Sequence, residues 1–138
     1  MTAIDFAAAR LEREEGFRAQ AYRDTAGKLT IGYGFNVDAG ISMRAARALL
    51  AAQVQERFEW LSPFWWAQGL DDLRMSVLID VSFNVGTAGL LHFPKMLAAI
   101  GTKNWQAAHD ELLDSDAARM LPARYQKLAR ILLTGANE

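Results

Sequence analysis

The sequence predicts an α+β, mainly helical fold: an N-terminal helix, a small antiparallel β-hairpin lobe and a C-terminal helical bundle. Three observations carry that expectation. Apolar residues near the start recur at helical spacing, as Ile4, Ala8 and Leu11. The period then shortens to strand alternation, with Leu29, Ile31 and Tyr33 on one side and Lys28, Thr30 and Gly32 on the other. Beyond residue 42 the chain returns to helical spacing and keeps it.

The first helix is expected over Ile4–Glu15, with Gly16 as its stop. Ala19–Tyr22, the turn Asp24-Thr25-Ala26-Gly27 and Leu29–Gly34 read as a short hairpin. Asn36–Gly40 reads as a loop, and Ser42 as the N-cap of a long helix ending near Trp60. Ser62-Pro63 interrupts it. Asp71 then caps a helix over Asp72–Val85, whose Leu73, Val77, Leu78 and Val81 form one face and whose Ile79 and Phe83 extend it. Such wide apolarity suits the centre of a bundle. Gly86 and Gly89 mark a break, and three helices follow at Phe93–Ile100, Trp105–Asp114 and Pro122–Leu133. One domain is expected, with a β lobe at 16–40, a connecting helix at 42–60, and a helical lobe at 71–138 packed against helix 4–15. Trp60, Trp65, Trp66 and Trp105 read as core residues sealing the joint between lobes.

Composition narrows the function classes. The 138 residues are 51% apolar and 22% charged, an ordinary globular profile. With no cysteine there is neither a disulfide nor thiolate chemistry. A net charge of −1 provides no global positive field for nucleic acid or an anionic cell wall. Charged residues from Asp5 to Glu15 break any signal-peptide core, and no apolar run is long enough to span a membrane. His92 and His109 lack companions at metal-ligand spacing, so no metal and no cofactor are expected. Gly32 and Gly34 lack a phosphate-loop pattern; they suggest backbone approached closely by a sugar or by the following helix.

Glu15 is the most informative residue. It continues the Ile4-Ala8-Leu11 series by another step of four, placing a carboxylate on the face expected to be buried. It also lies in the last helical turn, where the dipole disfavours negative charge. Both effects favour a proton-bearing carboxyl, as a general acid requires; a boundary residue reaching for water fits the position equally well. Asp24 opens its turn as aspartate commonly does, and Thr30 alone is an ordinary strand residue. Together the three form two carboxylates in different environments with a hydroxyl behind them, the equipment of glycoside hydrolysis.

The stretch EGFRAQAYRDTAGKLTIGYG, Glu15–Gly34, resembles the signature of phage-type lysozymes, the muramidases of glycoside hydrolase family 24. Eight residues separate Glu15 from Asp24 and five separate Asp24 from Thr30, as in that family. Ser82-Phe83-Asn84-Val85-Gly86 is similar to the family's central-helix block, and Leu121-Pro122-Ala123-Arg124 to the segment bringing an arginine near the active site. The resemblance implies a lysozyme-like fold and hydrolysis of the β-1,4 bond between N-acetylmuramic acid and N-acetylglucosamine in peptidoglycan. Inversion is implied, with Glu15 as acid and Asp24 and Thr30 holding the attacking water. Asn84, Arg124 and Gly32 become candidate substrate contacts. A phage enzyme of cell lysis or wall penetration is implied, monomeric by default and reaching the wall by holin-type release or on the virion. The chain departs from the family at Phe35, where many relatives carry histidine, and near Ala117, where some carry tryptophan. A lytic transglycosylase, a chitinase-like enzyme acting on N-acetylglucosamine polymers and an inactive glycan-binding module are the rival readings.

Overall fold

The computed structural model describes residues 1–137. It is an α+β chain of seven helices and one three-stranded antiparallel sheet among these residues. The chain divides into two compact units, Met1–Ala48 and Leu49–Glu138, with the boundary inside a helix.

The first unit opens with α1, Ala3–Glu15. A reciprocal cap starts it: the Thr2 hydroxyl accepts from Asp5 N–H at 3.2 Å while Asp5 Oδ2 accepts from Thr2 N–H at 2.8 Å. The Thr2 N–H, and after it the Thr2 hydroxyl donating to Asp5 Oδ2 at 2.9 Å, hold the Asp5 carboxyl below its ordinary range. Gly16 closes the helix at positive φ. Strands β1 (Arg18–Arg23) and β2 (Leu29–Gly32) pair across the expected turn, with an irregularity between Arg18 and Tyr22.

A third strand, β3 (Phe35–Asn36), was not expected. Thr30 pairs with Asn36 and Ile31 with Phe35 across a tight turn at Tyr33-Gly34. Gly34 has φ +77°, the left-handed conformation glycine adopts without penalty, so strand alternation stops at Gly32 instead of continuing to Gly34.

None of the α1 residues is buried, and Ile4 is 80% exposed. Within residues 1–48 only Thr30 is buried, at 4% exposure. A short helix and a three-stranded sheet supply too little apolar surface to cover the face of Ile4, Ala8 and Leu11 by themselves.

The long helix α2 is Met43–Leu61, its first turn capped by the Ser42 hydroxyl accepting from Ala45 N–H at 3.1 Å. The core belongs to the second unit. It centres on α3, Asp72–Leu90, capped by Asp71, where Val77, Leu78 and Val81 are fully buried. The break expected at Gly86 exists as a non-helical residue at φ 83°, but the helix resumes beyond it to Leu90. Then come α4 (Pro94–Gly101), α5 (Trp105–Leu113), α6 (Asp116–Met120) and α7 (Pro122–Thr134). The sequence reading misses α6, a five-residue helix capped by Ser115, and a 3₁₀ turn at Trp65–Ala67, because both are shorter than a helical period can reveal. Trp66 is core; it stacks on Phe64, which meets Trp60 edge-on. Trp105 packs on the core under the Arg74 guanidinium, 3.8 Å from its ring centre. Trp65 is the exception among the tryptophans, standing exposed beside Gly101.

No single helix among the described residues is long and apolar enough to cross a membrane.

Candidate active site

All three candidate catalytic residues lie in the first unit. Glu15 is the last residue of α1, and its side chain is exposed. Its carboxylate lies in the space a side chain at Gly34 would need: a β-carbon built there would lie 2.5 Å from Glu15 Oε2 and 2.8 Å from its carboxyl carbon. The close backbone approach anticipated at Gly34 is therefore made by Glu15 itself. A side chain at this position would displace the carboxylate, and it would also have to adopt positive φ.

Asp24 sits half-buried where β1 enters the turn. Its Oδ1 accepts from Ala26 N–H at 2.9 Å and from Lys28 N–H at 2.8 Å. Its backbone closes the same turn, with N–H to Lys28 carbonyl and carbonyl from Gly27 N–H, each at 2.9 Å. The turn thus orients the carboxylate by one oxygen, and Oδ2 takes no hydrogen bond among the described residues. Arg23 reinforces the turn by donating to the Gly27 carbonyl at 3.1 Å.

Thr30, on β2 opposite Tyr22, donates its hydroxyl proton to the Lys28 carbonyl at 2.9 Å. Its oxygen lone pairs remain, so toward a water this hydroxyl acts as an acceptor. Gly32 also has positive φ, but the Phe35 ring takes its open side: a β-carbon there would lie 2.8 Å from Phe35 Cδ2. The Phe35 ring thus forms an apolar cover over the sheet at Gly32.

The other two candidates belong to the second unit, on α3 and α7. Arg124 donates from Nε at 3.0 Å and from Nη2 at 2.6 Å to the same oxygen of Asp80. Asn84, one turn beyond Asp80, accepts at Oδ1 from the Tyr125 hydroxyl at 2.6 Å. Burial pushes the Tyr125 hydroxyl above the ordinary phenol range; the Arg124 charge opposes this and Asp80 adds to it. The phenol accordingly remains a donor at neutral pH. Asp80 and Tyr125 were not singled out from sequence, since pairs 44 and 41 residues apart leave no local trace.

A hollow of about 510 Å³ in the second unit contains none of these residues. It is rimmed by Lys95, Glu111, Asp114, Asp116 and Arg119, and Arg119 is paired there with Asp114 at 3.5 Å and Asp116 at 3.9 Å. Among the described residues, no group of three or more His, Cys, Asp or Glu side chains is placed to hold a metal ion.

With this geometry in place, comparison with known proteins decides the family. The model of the phage lysozyme family matches residues 12–127, a span containing Glu15, Asp24, Thr30, Asn84 and Arg124. The chain belongs to the phage lysozyme family. It is also 24% identical to the pre-baseplate central spike protein Gp5 of Enterobacteria phage T4, over 93% of this chain and 28% of that protein. The chain therefore spans somewhat over a quarter of the relative it matches.

Proposed function

We propose that this phage lysozyme is an inverting muramidase, cutting the β-1,4 bond from N-acetylmuramic acid to N-acetylglucosamine. The observation that supports this best is the differing treatment of two carboxylates in one small unit. The Glu15 carboxylate lies beside the Gly34 backbone and takes no part in a turn, whereas Asp24 is pinned by two N–H donors with its second oxygen open. Glu15 is assigned protonation of the glycosidic oxygen. Asp24 Oδ2 and the Thr30 hydroxyl are both acceptors, so they hold a water by its protons and leave its lone pair free to attack the anomeric carbon. Asp24 also stabilises the positive charge that develops on the sugar. Because Glu15 is exposed in the free protein, the bound sugar itself would exclude water from its carboxyl. Asn84 and Arg124 are assigned as glycan contacts.

The enzyme would act on the wall either after release from the cytoplasm or as part of a virion. The likeness to a spike protein supports the virion-borne route.

Release of new reducing ends from purified peptidoglycan, compared between wild type and Glu15→Gln, tests the assignment. The amide keeps the side chain's shape but cannot supply a proton, so turnover should fall about 10²–10⁴-fold with folding unchanged. Near-native turnover by Glu15→Gln would remove Glu15 as the acid. A folded wild type that releases neither reducing ends nor anhydro-muramic ends would favour an inactive glycan-binding module.

A further inference from the structure

Tyr125 is fully buried on α7, yet it carries a hydroxyl, and a buried phenol needs an acceptor for its proton. Asn84 provides one at 2.6 Å. That separation is ordinary for O–H···O and short for N–H···O, so the amide oxygen, not its nitrogen, faces Tyr125. The opposite orientation would leave the buried phenol proton without an acceptor. With its oxygen engaged, exposed Asn84 has only its NH₂ group left to offer, and that group takes no partner among the described residues.

A second latch lies one helical turn away. Asp80 holds Arg124 through Nε and Nη2, leaving the Nη1 hydrogens of a side chain that is 41% exposed. Asp80 and Asn84 share a face of α3 at a spacing of four, and Arg124 and Tyr125 are neighbours in the first turn of α7.

We propose that Tyr125 is a positioning residue, turning the Asn84 amide so that Asn84 and Arg124 together present only donors to an acceptor oxygen of the glycan. Two glycan groups have that chemistry, the N-acetyl carbonyl and the lactyl carboxylate of muramic acid. This deepens the muramidase reading and rests on it for the identity of the glycan.

The test follows the Asn84 side-chain amide by NMR in the labelled chain, with kinetics on peptidoglycan alongside. N-acetylglucosamine oligomers and muramic-acid-containing oligomers are each titrated. A shift of the Asn84 NH₂ signal with both assigns the carbonyl; a shift with the muramic oligomers alone assigns the carboxylate. No shift with either overturns the inference. Tyr125→Phe keeps the buried ring and frees the amide to rotate, so binding and KM should weaken about three- to tenfold with kcat unchanged. Asn84→Asp keeps an acceptor for Tyr125 but has no donor, and it should weaken KM further. Wild-type KM in either variant overturns the inference. So does a fall of kcat and Tm in Tyr125→Phe with KM unchanged, which would make the hydroxyl a packing element. A wild type that shows the Asn84 shift but releases no reducing ends would sink the muramidase reading and leave this one standing.

Discussion

The two units of this chain solve different problems. Residues 1–48 hold Glu15, Asp24 and Thr30 but bury only Thr30. Residues from Leu49 onward hold the apolar core, including Leu61, Val77, Leu78, Val81, Leu112 and Leu132, each fully buried. The catalytic candidates are therefore positioned by backbone devices: a capping box, an aspartate turn, and a positive-φ glycine against a carboxylate. Such devices are local, each contributing about as much as one cap or one hydrogen bond. Dense packing, which resists change collectively, is confined to the other unit. Chemistry and stability should consequently respond to different mutations.

The largest expected effect that would break this division is at Asp24. Asp24→Asn keeps an oxygen for the Ala26 and Lys28 N–H donors, so the turn should survive, but the charge is lost. Turnover should fall about 10²–10³-fold with Tm unchanged; calorimetry beside the reducing-end assay measures both. A large fall in Tm would show that the carboxylate serves the fold.

Leu78→Ala probes the other side. Leu78 is fully buried in α3, and its truncation should cost about 2–5 kcal/mol in urea unfolding. Activity per folded molecule should stay near wild type. A smaller effect follows at Gly34, where alanine must adopt φ +77° and push against the Glu15 carboxyl. The backbone penalty should be about 1–2 kcal/mol, while misplacement of the acid should lower kcat by about ten- to a hundredfold with KM little changed. Equal kcat in Gly34→Ala and wild type would show that the close approach has no catalytic consequence. The smallest change is Thr2→Ala, which removes the α1 cap at a cost of about 1 kcal/mol. Hydrogen exchange should quicken in the first turn of α1 alone, and a change spreading to α3 would contradict the local character of the first unit.

Much of this was legible in the sequence, and the failures have physical causes. Gly16, Ser42, Asp71 and Gly135 mark helix ends as expected, because caps are written in adjacent residues. The hairpin turn at Asp24 was legible for the same reason. The strand Phe35–Asn36 was lost because two glycines so close together can end a strand or turn it, and only the φ of Gly34 decides. Helical spacing shows which residues of α1 share a face, not what covers it. Glu15, Asp24 and Thr30 were picked as candidates by their spacing, and all three fall in the first unit. Gly34 was flagged for a close approach whose partner only the structure identifies as Glu15. The Asp80–Arg124 and Asn84–Tyr125 pairs depend on how α7 lies along α3, which no local pattern encodes.

The central claim is that the first unit directs a water against the anomeric carbon, and the most direct measurement is product analysis of peptidoglycan digested in ¹⁸O-labelled water. The account predicts one ¹⁸O at C1 of each new muramic acid end, with the α anomer formed first from the β-linked strand. Anhydro-muramic ends without label would contradict it, showing a transglycosylase that has no use for a water held by Asp24 and Thr30.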